Sequence, residues 1–358
     1  MTEGAITGSM STGWVRGSRP PTLDQVAELA GVSRATVSRV INGAPTVDSK
    51  IRATVENAIA EIGYVPNLAA RSLVTRRTDS VALVISESDV RASGAGFLNQ
   101  VFTDPYFGRI TAGAQEVLRR NGIHLVIIPA DAAAQQQVVG YLRQGHVDGV
   151  LLISSHHTDP LPQQVSGLAI PVVISARPAQ RIPASYVDID QGLGASLAAE
   201  HLYARGARRR ATITGPLDTA AGHDRLDGFR KTLATHGIAD VPYVESDFTR
   251  AGGEDAARDL LAAHPGLDGL FVANDLMASG ALQVLQDLGR RVPDDVAVVG
   301  FDDSSAALAC RPLLTTIRQP VEEMAGEMAR LLLAHIREPD RLPRSVIFQP
   351  TLVVRQSA

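Results

Sequence analysis

Apolar positions fall into two rhythms along this chain. Between residues 22 and 63 they recur every three or four places. From residue 81 they come in short runs, separated by longer stretches at helical spacing. A 3.6-residue period marks amphipathic helices, and short apolar runs bounded by turn residues mark buried strands.

The first rhythm predicts three helices. Thr22 and Gln25 have capping-box spacing, Leu23, Val26, Ala27 and Ala30 follow on one face, and Gly31 ends the helix. Ser33 is placed to cap a second helix with Val37, Val40 and Ile41 as its stripe and Asn42-Gly43 as its stop. Asp48 caps a third, with Ile51, Val55, Ala58, Ile59 and Ile62 at helical spacing and Gly63 at its end. A connector follows: Pro66 breaks regularity, Asn67 can cap one or two turns through Leu73, and residues 75–80 are polar.

The second rhythm predicts strands at 81–85, 124–128, 149–153, 171–175, 185–190, 209–215, 242–246, 269–273 and 296–302, with a further apolar stretch at 345–355. Helical patterns at 106–121, 133–144, 192–205, 224–236, 251–264, 276–288 and 321–336 alternate with them, and a shorter one precedes residue 171. Such alternation means parallel sheets covered by helices on both faces. The length accommodates two sheets, each of about five or six strands.

Composition sharpens this picture in three places. Aromatics are only 4% of the 358 residues while hydrophobic residues are 45%, so the cores are expected to be Ala, Val, Leu and Ile. The net charge of -4 is uneven: residues 1–77 hold nine Lys/Arg against six Asp/Glu, leaving 25 against 32 in the rest. That asymmetry fits a basic contact module on an acidic body. Cys310 is the only cysteine, which excludes an intramolecular disulfide and a CxxC metal site and suits a reducing cytoplasm. The first 20 residues lack the apolar core of a signal peptide and are expected to be a disordered tail, or to precede the true start. No apolar run reaches the ~18 residues of a membrane span.

Two helices joined through a short Gly-containing corner form a helix-turn-helix, whose second helix presents its N-terminal residues to base edges in the DNA major groove. Here those residues are Ser33, Arg34, Ala35, Thr36, Ser38 and Arg39. Arg34 and Arg39 suit bidentate pairing with guanine, Ala35 an apolar contact, and the three hydroxyls phosphate contacts. The corner alone equally fits an ordinary helical pair with a solvated face.

The longer stretch "TLDQVAELAGVSRATVSRVING", continuing through "VDSKIRATVENAIAEIGYVPNLAARSL", resembles the N-terminal domain of the lactose-repressor (LacI/GalR) family of bacterial transcription regulators. "VANDLMASGALQVLQDLGRRVPDDVAVVGFDD" and "PLLTTIRQP" extend the resemblance through the body, with residues 88–102 and the N-terminal tail outside it. The resemblance implies that Arg34, Ala35 and Arg39 read bases. It also implies that "PNLAARSL" is a hinge helix ordering on DNA, with Asn67, Ala70 and Leu73 at the minor groove and Leu73 wedged into a base step. An apolar wedge of this kind kinks the duplex at a cost of a few kcal/mol. Family members bind near-palindromic operators as dimers.

The family's body is a periplasmic-binding-protein-like α/β domain of two doubly wound lobes, with an effector cleft at the carboxyl ends of their strands. The resemblance places candidate effector contacts at Tyr106, Phe107, Phe248, Asn274, Asp302 and Gln319, with Ser86, Arg177 and Asp190 at strand ends. His223 is expected where many members carry an anchoring arginine, which weakens the case for an ordinary hexose, and Arg225 is expected to be structural. The chain is expected to cross between lobes near 177–181, 239–243 and 314–319. "SSHHTDP" at 154–160 is expected to line the cleft, and its His156-His157 pair lacks the spacing of a metal site.

The expected organisation is a tail (1–20), a helix-turn-helix domain (21–65), a hinge and linker (66–80) and an effector and dimerisation domain (81–358). The expected function is a ligand-responsive, DNA-binding regulator, most often a repressor in such families. Its partners would be double-stranded operator DNA, a carbohydrate-like effector and a second copy of the chain, in the cytoplasm at the nucleoid. No cofactor and no membrane contact is expected. The ending "TLVVRQSA" carries no heptad helix, which favours a dimer over a tetramer. A transport receptor is disfavoured by the first 77 residues. An α/β enzyme is disfavoured because no nucleophile elbow, P-loop or complete dinucleotide fingerprint is present.

Overall fold

The computed structural model describes residues 21–41, 43–44, 46–65, 77–87 and 95–358. Two compact units follow one another, Met1–Arg77 and Thr78–Ala358.

In the first unit, α1 (Leu23–Ala30), α2 (Arg34–Ile41) and α3 (Ser49–Ile62) form as the spacing predicts. The backbone N–H of Gln25 donates to Thr22 Oγ1 at 3.3 Å and that of Thr22 to Gln25 Oε1 at 2.8 Å, a reciprocal cap that satisfies two otherwise orphaned donors. Gly31 takes φ +63, a left-handed conformation that a side chain rarely adopts, and so turns the chain sharply into α2. Ser33 Oγ accepts the Thr36 N–H at 3.2 Å, and Asp48 accepts that of Lys50 at 2.9 Å. Val26, Val37, Val40, Val55 and Ala58 make the core. Ile51, expected within the buried stripe, is 38% exposed, because three short helices cannot cover the whole face of α3.

The second unit starts with β1 (Ser80–Ser86), α4 (Ala95–Thr103), α5 (Pro105–Arg120), β2 (His124–Ala130), α6 (Gln135–Arg143), β3 (Gly149–Ser154), α7 (Leu161–Ser166), β4 (Val172–Ser175) and β5 (Ser185–Ile189). It continues with α8 (Gln191–Ala204), β6 (Arg210–Thr214), α9 (Ala220–Thr235), β7 (Tyr243–Glu245), α10 (Arg250–Ala263), β8 (Gly269–Val272), α11 (Asp275–Asp287), β9 (Ala297–Asp302), α12 (Ser305–Ala309) and β10 (Thr315–Arg318). It ends with α13 (Val321–Arg337), β11 (Ser345–Phe348) and β12 (Thr351–Val353).

Two six-stranded sheets result, ordered β2-β1-β3-β4-β5-β11 and β7-β6-β8-β9-β10-β12. Among the described residues, every pairing within the two sheets is parallel except β12 on β10. Each sheet divides two cores by its pleat. Val81, Leu83 and Ile85 face the side covered by α5 and α13, whereas Ala82 and Val84 face the side covered by α6 and α7. This burial on both faces explains why the strands read as continuous apolar runs. In both sheets the chain turns in opposite directions from one strand, β1 in the first and β6 in the second. Such a switch point opens a crevice at the carboxyl ends.

Two of the three expected lobe crossings differ from the structure, while the one near 314–319 falls where expected, at its end. β4 and β5 pair directly, Val173 with Ser185, so residues 177–181 stay within the first lobe. Residues 239–243 join α9 to β7 inside the second lobe. The crossings fall at Asp190 between β5 and α8, at 319–320 between β10 and α13, and at 349–350 between β11 and β12. The last places the two halves of 345–355 in different sheets. Helix α4 was not anticipated, and α9 begins four residues earlier than its pattern suggested because Thr219 caps it, accepting the Gly222 N–H at 3.0 Å. No helix among the described residues is long and apolar enough to cross a membrane.

Candidate functional site

A cavity of about 210 Å³ lies between the lobes at the carboxyl ends of both sheets. The first lobe contributes Ser86 and Glu87 after β1, His156 after β3, Ser175 at the end of β4 and Asp188 in β5. The second contributes Thr219–Ala221, Arg225, Phe248, Asn274 and Asp302.

At its centre is Arg225, which is 5% exposed. Its Nε donates to Gln191 Oε1 at 2.8 Å, its Nη2 to Gln319 Oε1 at 3.3 Å, and its Nη1 to the Ala273 carbonyl. Its guanidinium stacks 3.6 Å from the centre of the Phe301 ring and lies 4.0 Å from Asp302 Oδ1. Burial pulls its pKa down, and Asp302 opposes this. Burial pushes the Asp302 carboxyl well above its usual range, with Arg225 opposing. One cation thus faces several acids in a poorly hydrated space, where polar contacts strengthen.

Tyr106, Phe107, Phe248, Asn274, Asp302 and Gln319 all line the cavity, as does Ser86. Tyr106 packs edge-on against Phe107 and reaches Ser175 Oγ at 3.3 Å; burial pushes its phenol up to about 12. Asn274 is committed at both ends: its Oδ1 accepts the Met277 N–H at 2.9 Å, capping α11, and its Nδ2 donates to the Phe248 carbonyl at 2.9 Å. It therefore holds Phe248 in a left-handed conformation, φ +65. A β-carbon added at Gly215 would lie 2.0 Å from Phe248 Cζ, so only glycine leaves room for that ring.

Three expected contacts are elsewhere. His223 and Arg177 are not among the lining residues; each is mostly exposed and bonds Asp224, at 3.1 and 2.8 Å. The reason is the early start of α9. In a helix beginning at Ala220, residues 223 and 225 point about 200° apart, and Arg225 faces inward. Asp190 caps α8, accepting the Leu193 N–H, and is also outside the lining. Sequence reasoning missed Arg225, Glu87, Asp188, and Phe97 and Gln100 of α4. The Thr219 cap was the available signal for Arg225.

His156 joins the lobes. Its Nε2 lies 3.0 Å from Glu87 Oε1 in its own lobe and its Nδ1 2.8 Å from Asp218 Oδ2 in the other. Glu87, then Asp218, raise its pKa to about 9 against the effect of burial. A backbone bridge pairs His156 with Thr219, and the His157 N–H donates to the Asp218 carbonyl at 2.8 Å. Arg109 forms a second tie near the crossing, donating to the Asp302 and Gln319 carbonyls and pairing with Glu322 at 2.7 Å.

In the first unit, α2 begins with an exposed edge of Ser33, Arg34, Ala35 and Arg39, with Thr36 and Ser38 half-buried. Ser33 and Thr36 hydroxyls bond each other at 2.9 Å, and Arg34 lies 3.6 Å from Asp24, both largely exposed. Asn67, Ala70 and Leu73 lie outside the described residues.

A helix-turn-helix unit followed by a two-lobed body with a ligand-sized interior cleft defines a ligand-responsive, DNA-binding regulator. Residues 22–67 match the model of bacterial regulatory proteins of the lacI family, and 199–358 that of a periplasmic binding protein-like domain. The HTH-type transcriptional regulator CelR of Thermobifida fusca is 45% identical over 344 residues, covering 95% of this chain and 98% of that protein. The ribose operon repressor of Escherichia coli K12 is 34% identical over 343 residues, covering 94% and 99%. A CelR–cellobiose complex matches with TM-score 0.73 and 42% identity, covering 94% and 100%. A lac repressor dimer bound to operator and anti-inducer matches with TM-score 0.80 and 27% identity, covering 95% and 99%. The chain belongs to the lacI family of bacterial regulatory proteins: it is a transcription regulator, not an enzyme.

Proposed function

We propose that this chain represses transcription as a homodimer on a near-palindromic operator, in the cytoplasm, and that a disaccharide of the cellobiose type in the inter-lobe cleft switches it. The observation that carries this reading is the cleft: a buried arginine, several carboxylates and aromatic faces converge there, a set suited to ring hydroxyls and apolar sugar faces. The likeness to a CelR–cellobiose complex along nearly the whole chain supports the sugar class. The likeness to a lac repressor dimer supports the two-fold assembly.

In this reading Ser33, Arg34, Ala35, Thr36, Ser38 and Arg39 meet the major groove, and Asn67, Ala70 and Leu73 the minor groove. Arg225 anchors the sugar together with Asp302, Tyr106 and Phe248. The sugar acts only through its differential affinity for two lobe arrangements, whose reciprocal is a change in DNA affinity.

The test is fluorescence anisotropy of a duplex from the upstream region of the protein's own gene, with and without cellobiose, ribose or galactose. The expected result is tight binding that cellobiose changes by about 5- to 150-fold. Binding no tighter than to scrambled duplex removes the operator; a response to ribose alone or to no sugar removes the cellobiose-type effector.

A further inference from the structure

Helix α4, Ala95–Thr103, forms part of the cleft wall. Phe97 and Val101, four residues apart, are 4% and 5% exposed and anchor α4 in the core beneath β1 and α13. The Asp104 N–H donates to the Gln100 carbonyl at 2.9 Å, and Asp104 in turn caps α5, so α4 is tied directly to the segment that carries Tyr106 and Phe107. This framework brings Phe97 and Gln100 into the cavity lining.

Most polar side chains there are committed to the chain, and Gln100, like Ser155, is not. Asn274 spends both ends of its amide on the chain, Gln191 and Gln319 serve Arg225, and Ser175 bonds Tyr106. Among the described residues the side-chain amide of Gln100 has no hydrogen-bond partner. It offers one carbonyl and two N–H groups to the cavity.

We infer that Gln100 is a ligand-contacting specificity residue, its amide hydrogen-bonded to one hydroxyl of the bound carbohydrate. The inference rests on the carbohydrate reading above. Because the donor stands on a helix anchored by Phe97 and Val101, it is positioned before the ligand arrives, which keeps the entropic cost of the contact small.

The experiment is calorimetric titration of the full-length protein, wild type, Gln100→Ala and Gln100→Glu, with cellobiose, ribose, galactose and the monodeoxy analogues of whichever sugar binds best. The expected result is a loss of about 5- to 10-fold for Gln100→Ala, the size of one neutral hydrogen bond. One deoxy analogue should bind wild type correspondingly weakly and be insensitive to Gln100→Ala, with the ligand-free melting temperature unchanged. Gln100→Glu, which keeps an acceptor but loses the donors, should retain the fold and shift the ranking of the analogues. Unchanged affinities in both variants overturn the inference while leaving the carbohydrate reading intact. An equal loss for every sugar and analogue, with a lowered melting temperature, also overturns it, since it marks a structural role. If wild type binds no sugar in the panel, the carbohydrate reading falls and the inference falls with it.

Discussion

His156 Nδ1 lies 2.8 Å from Asp218 Oδ2, and this bond crosses from one lobe of the body to the other at the rim of the cleft. The ring's second nitrogen is held by Glu87 at 3.0 Å, so each ring nitrogen faces one acid, an arrangement that favours the protonated ring. The cleft and the contact that holds its walls together therefore share one residue.

The charge on that ring has a pH signature. The His156 pKa is raised from its usual 6.5 to about 9, through Glu87 first and Asp218 second. A group whose folded pKa is raised contributes stability that is complete below the unfolded pKa and is lost as pH rises through the folded one. The melting temperature of the ligand-free protein is expected to fall between pH 6.5 and about 9, and His156→Gln to flatten this part of the profile. Parallel profiles for the two proteins would mean that the His156 ion pairs do not carry this pH dependence.

Arg225→Met is expected to destabilise the body by about 3–5 kcal/mol, since one side of a buried charge network is removed and Asp302 is left unopposed. Urea unfolding measures this, and the same variant should lose its calorimetric response to cellobiose. A loss under about 1 kcal/mol would mean that the network relaxes around the gap.

Gly215→Ala places a methyl where the Phe248 ring stands. The ring must move, at a cost of about 1–3 kcal/mol of overpacking or of lost stacking on the ligand. The expected outcome is a sugar affinity at least about tenfold weaker with operator affinity of the ligand-free protein unchanged. Unaltered sugar binding would place Phe248 outside the contact set.

Arg39 stands exposed on α2, away from the Val37 and Val40 core. Arg39→Ala is expected to weaken operator binding by about 1–3 kcal/mol and to weaken scrambled duplex much less, as read by anisotropy at fixed salt. An equal loss on both duplexes makes Arg39 a phosphate contact and not a base reader.

Much of this was legible because it is local. The reciprocal Thr22–Gln25 cap, the Gly31 corner and the Asp48 cap each act within one turn, so the three-helix unit could be drawn from spacing alone. Strand periods were equally plain, since two-sided burial leaves apolar runs. Helix α4 was not, because its nine residues offer only a short apolar stripe, Phe97 and Val101. His223 stands at the position where the family resemblance places an anchoring arginine, whereas the Thr219 cap starts the helix at Ala220 and turns Arg225 inward.

The order of letters was enough to settle most of the segments that become helices and strands, where the first three helices begin and end, and what kinds of side chain stand at the strand ends. Only the folded molecule settled which sheet each strand joins, where the chain passes between lobes, and which polar groups meet in the cleft. The physical reason is range. Caps and periodicity act over three or four residues, whereas His156 and Asp218 are 62 positions apart and Arg225 and Gln319 94. Only strand pairing and core packing bring such residues together.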